Sequence, residues 1–172
     1  MGKQAEADFL GWVTTSRDGL RKTAFLLCGD WFLADDLVQD ALTRLFGVWG
    51  RVSASGDPGP YARKIVVNLY LDHRRRPSRR EVPLAEWPDR GIAEQPNAVD
   101  GESDRLMTAL RQVPTGQRAV LVLRYWEDLS IEQTAQLLGT SAGNVRSQAS
   151  RGLDALRAAL GTDPVTAPEE SL

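Results

Sequence analysis

The arginines and small polar residues between Ser141 and Arg151 carry the clearest chemistry in this chain. At about 100° per residue, Gly143, Ser147, Ser150 and Arg151 share one helix face, with Asn144 and Arg146 on its flanks. Val145, Ala149, Leu153, Leu156 and Leu160 form an apolar stripe on the other side. Small residues allow a helix to approach a surface closely, while arginine and asparagine can hydrogen-bond base edges or phosphates. Ser141 belongs to the N-cap that would start this helix. Most amphipathic helices also show a polar face to solvent, but such faces usually mix acids with bases. Here no Asp or Glu occurs from Gln133 through Leu153, as expected of a face that meets nucleic acid.

Two further clusters could do chemistry. Between Tyr61 and Arg80 stand Arg63, Lys64, Arg74, Arg75, Arg76, Arg79 and Arg80 against Asp72 alone. Tyr61, Asn68 and Tyr70 are interleaved among them, and aromatic rings can stack on bases that leave a duplex, at about 1–3 kcal/mol per base. Either tyrosine could equally fill the core. Asp35, Asp36, Gln39, Asp40 and Thr43 form an acidic patch at helical spacing, which raises the question of a metal or paired-carboxylate site. Transition-metal chemistry would want imidazole or thiolate ligands, and His73 and Cys28 are the only two in the chain. No phosphate-cradling glycine loop is present, and no Ser/His/Asp set. His73, among arginines, reads as a solvated or phosphate-side residue. No cofactor, no metal and no catalytic residue is expected.

The elements that must position these clusters read as helices throughout. Phe9, Leu10, Val13, Leu20, Ala24 and Leu27 recur at helical steps from Asp8 to about Leu27, and Cys28-Gly-Asp30 breaks the run. Ala34, Leu37, Val38, Ala41, Leu45 and Trp49 mark a second helix, and Gly50 to Gly59 reads as a loop. Pro60 suits the first turn of a third helix with Ala62, Ile65, Val66 and Leu69 inward. Residues 77–101 hold four prolines, turn acidic beyond Arg80 and lack helical period, as a flexible linker would. Leu106, Leu110 and Val113 then form a stripe, and Val120, Leu121, Leu123 and Tyr125 another. Ser130-Ile-Glu-Gln133 is a capping-box pattern, Gly139 suits a left-handed helix end, and Thr140 and Ser141 open the next helix. Together they spell a helix-turn-helix. Residues 162–172 read as a disordered acidic tail.

The expectation is an all-α chain of two small helical domains, 1–76 and 102–161, joined by the linker 77–101. A net charge of -2 over 172 residues argues against general coating of nucleic acid, yet the charge is strongly local. With a single cysteine no intramolecular disulfide can form, and Cys28 reads as a small buried residue. The N-terminus lacks an apolar signal core and no run approaches the roughly 20 residues of a membrane span, which points to the cytoplasm and to no membrane insertion.

In this order, Asp36-Leu-Val-Gln-Asp40, the Tyr61-to-Arg76 helix and the terminal helix-turn-helix resemble bacterial sigma factors of the extracytoplasmic-function type, nearest an actinobacterial subgroup. The resemblance covers about Phe9 to Leu160. It implies that Asp35, Asp36, Gln39, Asp40 and Thr43 dock on the β′ clamp helices of core RNA polymerase. It implies that Gly50 to Gly59 captures an unstacked base of the promoter −10 element. Tyr61, Arg63, Lys64, Asn68, Tyr70, Arg74, Arg75 and Arg76 would lie against the melted strand. Ser141, Gly143, Asn144, Arg146, Ser147, Ser150 and Arg151 would read the −35 element, and the same domain would bind the β flap. An anti-sigma factor is an expected partner. The chain departs from the wider family's pattern at Tyr61-Ala62, Val67 and Asn144-Val-Arg-Ser147, which bears on the promoter sequence it prefers.

A linker of about 25 residues reaches at most roughly 80–90 Å, and two turns of duplex cover about 70 Å. One domain could thus hold a −35 site while the other opens DNA downstream. The linker either threads the polymerase's RNA path, as the resemblance implies, or is a solvated tether. The rival readings are a free-standing helix-turn-helix regulator that ignores polymerase and a metal-dependent enzyme built on Asp35, Asp36 and Asp40.

Overall fold

Residues 2–75 and 101–161 are described by the structure, a computed structural model, the side chains of Glu102 and Ser103 excepted. Arg76, the expected tail and all of the expected linker except Gly101 lie outside the described residues. Gly101 itself is the first residue of a helix. The chain divides into two compact units, Met1–Ala98 and Val99–Leu172, and every element described in them is helical.

The first unit packs three helices: α1 (Lys3–Cys28), α2 (Trp31–Ala54) and α3 (Gly59–Arg75). Gly29 ends α1 in the left-handed region at φ 70°, its N–H donating to the Phe25 carbonyl. Asp30 caps α2 at once, its carboxylate accepting from the N–H groups of Phe32 and Leu33. Leu20, Leu27, Val38, Leu45, Val66 and Val67 fill the core. At one end Phe9 meets Phe46 and Trp49 edge-on at centroid distances of 5.0 and 5.2 Å, each pair contributing about 0.5–1.5 kcal/mol beyond area burial. Leu10, expected inward, is 57% exposed.

The expected loop from Gly50 to Gly59 shrinks to residues 55–58, because α2 continues to Ala54 and α3 begins at Gly59. Trp49 and Val52 are buried there, and the Ser53 hydroxyl donates back to the Trp49 carbonyl at 2.8 Å. Packing of those side chains outweighs the roughly 1 kcal/mol that an exposed helical Gly50 costs. Asp57 then accepts from Gly59 N–H at 2.9 Å and turns the chain into α3.

The second unit comprises α4 (Gly101–Gln112), α5 (Thr115–Leu121), a π-helical turn (Val122–Trp126), α6 (Ile131–Leu138) and α7 (Ala142–Leu160). Its centre joins Val120, Ala135 and Val145, with Ile131, Leu138 and Ala149 packed around them. Two residues expected in apolar stripes face outward: Leu106 is 43% and Tyr125 58% exposed. The wider π turn adds a residue to the helical register, so Tyr125 and Trp126 swing off the inward face set by Val120 and Leu123. Cys28, expected buried, is half-buried, its thiol donating to the Asp30 carbonyl at 3.2 Å.

Candidate nucleic-acid interface

Local capping builds the hairpin that carries α7. The Ser130 hydroxyl accepts from Gln133 N–H at 3.0 Å, and the Gln133 side chain accepts from Ser130 N–H at 2.8 Å. Gly139 ends α6 at φ 64°, and the Ser141 hydroxyl accepts from Asn144 N–H at 3.1 Å to start α7. Val145 is fully buried against Val120 and Ala135, which fixes the rotation of α7 about its axis. The opposite arc then faces outward. Gly143, Asn144, Arg146, Ser147, Ser150 and Arg151 are all exposed, as is Ser141. The Asn144 amide donates to Thr140 Oγ1 at 2.8 Å, so this side chain also braces the turn. With no carboxylate on the first three turns of that arc, and backbone N–H groups at its N-terminus, the surface is suited to an anionic duplex groove.

Gly152 holds α7 in place in a way the sequence did not suggest. A Cβ there would meet Leu121 Cγ at 3.1 Å and Gln117 Cβ at 3.3 Å, so the glycine lets α5 and α7 approach closely. Arg118 was equally hidden: it is buried, and its guanidinium donates to the carbonyls of Arg111 at 3.2 Å and Val113 at 3.1 Å. It thereby caps the end of α4. A charged residue directly before the apolar run from Ala119 to Leu123 was the available signal. Arg124 donates to the Leu129 carbonyl and closes the turn before α6.

In the first unit the basic cluster divides by helix face. At about 100° per residue, Tyr61, Lys64, Asn68 and Arg75 fall within roughly 80° of one another. All four are exposed, Tyr61 at 37%, and Asp72 shares their strip. Arg63, half-buried, and Arg74, exposed, lie on another flank at the edge of the core. Tyr70 does not belong to the site. It points the opposite way from Tyr61 and is 1% exposed, so no ring face is left for a base.

The acidic patch of α2 also loses one member. Asp35 is pinned by Arg21 across the helix pair, with Nε–Oδ1 at 2.6 Å and Nη2–Oδ2 at 3.1 Å. The same guanidinium sits 4.3 Å from the centroid of the Trp31 ring, which stacks on Phe25. Asp35 thus ties α2 to α1, while Asp36, Gln39, Asp40 and Thr43 are exposed, Thr43 donating to the Gln39 carbonyl at 2.9 Å. With Arg44 one turn beyond Asp40 as the basic member of this face, it is rich in acceptor oxygens, which suits it to a basic protein surface. No helix of the described residues is long and apolar enough to cross a membrane.

Comparisons with known proteins bear on both units. Residues 12–80 match the family description "Sigma-70 region 2" and residues 103–156 match "Sigma-70, region 4". The RNA polymerase sigma-E factor of Streptomyces avermitilis is 36% identical over 152 residues, covering 87% of this chain and 83% of that protein. The ECF RNA polymerase sigma factor SigE of Mycolicibacterium smegmatis is also 36% identical, over 84% of this chain and 58% of its own length. Among solved structures, the sigma factor RpoE of Bartonella quintana, in complex with the anti-sigma factor NepR, superposes with a TM-score of 0.71. It is 22% identical and the match covers 91% of this chain and 99% of that one. CnrH, in complex with the cytosolic domain of CnrY, gives a TM-score of 0.64 at 22% identity over 94% and 95% of the two chains.

A helical unit matching region 2, followed by one with a helix-turn-helix matching region 4, defines a class: bacterial transcription initiation factors. Within it, this chain belongs to the sigma-70 family, in the extracytoplasmic-function type, and it directs promoter-specific transcription by RNA polymerase.

Proposed function

We propose the following division of labour among the chain's own residues. Residues 1–76 form region 2, in which Asp36, Gln39, Asp40 and Thr43 dock on the β′ clamp helices of core RNA polymerase. Asp35 supports that face through its pair with Arg21. The strip of Tyr61, Lys64, Asn68 and Arg75 receives the melted −10 strand, with Tyr61 as its only stacking residue among those described. Residues 102–161 form region 4, which reads the −35 element through α7 and binds the β flap, with residues 77–101 as the connection. The part played by 50–59 in base capture falls to its non-helical segment, Ser55 to Pro58.

A single observation carries this reading: the outward arc of α7 presents Arg146 and Arg151 beside Gly143, free of acids over its first three turns. Arginine is the most versatile base-edge and phosphate donor, and glycine permits the approach. The chain acts by binding and not by catalysis, in the cytoplasm where its polymerase resides. RpoE was solved with the anti-sigma factor NepR and CnrH with the cytosolic domain of CnrY, and we assign this chain a partner of the anti-sigma kind. Run-off transcription with purified core polymerase on genomic fragments tests the whole reading. Start sites should share one pair of −10 and −35 elements, and random initiation would refute it.

A further inference from the structure

An open groove of about 400 Å³ runs beside α7, outside the proposed base-reading arc except at Arg146 and Ser150. Arg124, Arg146 and Arg157 supply its charge and Tyr125, Ile131 and Leu153 its apolar floor. Tyr125 is 58% exposed there, its ring 5.8 Å from the Arg124 guanidinium. A groove with this lining fits an acidic, partly apolar peptide. Such a peptide follows α7 directly in the sequence: residues 162–172 carry Asp163, Glu169 and Glu170, together with Val165 and Leu172, and no lysine or arginine.

Reach and direction agree. Gly161 ends α7 in the left-handed region at φ 68°, where the chain can reverse. From Leu160 back to Arg146 the helix rises about 21 Å. Glu169 lies eight residues beyond Gly161 and can reach about 26–29 Å. The acids can therefore arrive at each arginine of the groove. Covalent attachment gives them a local concentration in the millimolar range, enough to populate a weak contact.

We propose that residues 162–172 occupy this groove and compete with duplex DNA for Arg146 and its neighbours, so that the segment restrains −35 binding by the free protein. The competition rests on the assignment of α7 to the −35 element, whereas the docking does not. Polyanion competition also explains why the restraint should fade with salt.

A nitroxide on Ser171→Cys, in a Cys28→Ser background whose amide spectrum is checked against the parent, tests the docking in the full-length chain. The label should broaden the amides of Tyr125, Ile131 and Ala149 at low salt, and 1 M salt or the Asp163→Asn/Glu169→Gln/Glu170→Gln variant should remove the effect. Absence of broadening at low salt overturns the proposal. The neutralised variant should also bind a −35 duplex about threefold to tenfold more tightly, with the gap closing as salt rises. Broadening with equal affinities overturns the competition. Broadening with no binding to promoter duplex by either chain upholds the docking and instead refutes the DNA assignment of α7.

Discussion

Gly152→Ala tests the packing that aims α7. A new methyl would stand 3.1 Å from Leu121 Cγ, 3.2 Å from its Cδ1 and 3.3 Å from Gln117 Cβ. Two of these atoms lie close to the backbone of α5, so side-chain rotation alone gives limited relief, and overpacking of this kind costs about 1–3 kcal/mol. Against it stands the helix propensity of alanine over glycine, about 0.8–1 kcal/mol. The losses win, and the second unit should become less stable by about 1 kcal/mol, with 2 kcal/mol as a rough upper bound. Gly143→Ala is the internal control, because a Cβ there meets only Ser141 Oγ at 4.0 Å. It should keep the propensity gain and lower DNA affinity alone. Native-state hydrogen exchange at the Leu121 and Val145 amides reads the opening free energy of this unit separately from the first. If Gly152→Ala protects those amides as much as Gly143→Ala does, the close helix crossing is wrong, and with it the reason α7 projects as it does.

Further outcomes follow from the surfaces and caps. Arg146→Ala and Arg151→Ala should each weaken −35 binding, by about 1–3 kcal/mol where the contact is a bidentate base pair, in fluorescence anisotropy with promoter and scrambled duplexes. Unchanged promoter preference in both would remove α7 from the recognition role. Asp36→Ala and Asp40→Ala should reduce affinity for core polymerase while leaving promoter choice intact, measured by competition against the parent chain in transcription; a shifted promoter choice contradicts the docking role. Ser130→Ala should cost about 1 kcal/mol in the second unit by urea denaturation, since it removes one half of the capping box. Tyr61→Ala should slow promoter opening, whereas Tyr70→Ala should chiefly destabilise the fold, by about 3–5 kcal/mol on the scale of large buried aromatics.

Features set by near neighbours were legible from the residues alone. The Ser130–Gln133 box, the left-handed Gly139 and the Ser141 cap each involve side chains within a few positions, so the helix-turn-helix and its outward arc could be read directly. The Cys28-Gly-Asp30 break was legible for the same reason. What escaped depended on contacts between distant residues. Asp35 looked like Asp36 until Arg21, fourteen positions earlier, claimed it. Tyr61 and Tyr70 looked alike until packing of α3 buried one and exposed the other. Tyr125 followed an apolar period that the π turn interrupts, and Gly50 sat in a helix because Trp49 and Val52 are buried on either side of it. Gly152 carried no signal, since its value lies in the space Leu121 takes up.

Footprinting of one promoter by the chain alone and by the chain with core polymerase separates polymerase-dependent initiation from autonomous DNA binding. Protection of the −35 and −10 elements together, and reactive unpaired bases near −10, should appear only when core polymerase is present. A tight footprint by the chain alone, unaltered by polymerase, would contradict that dependence and identify a free-standing regulator instead.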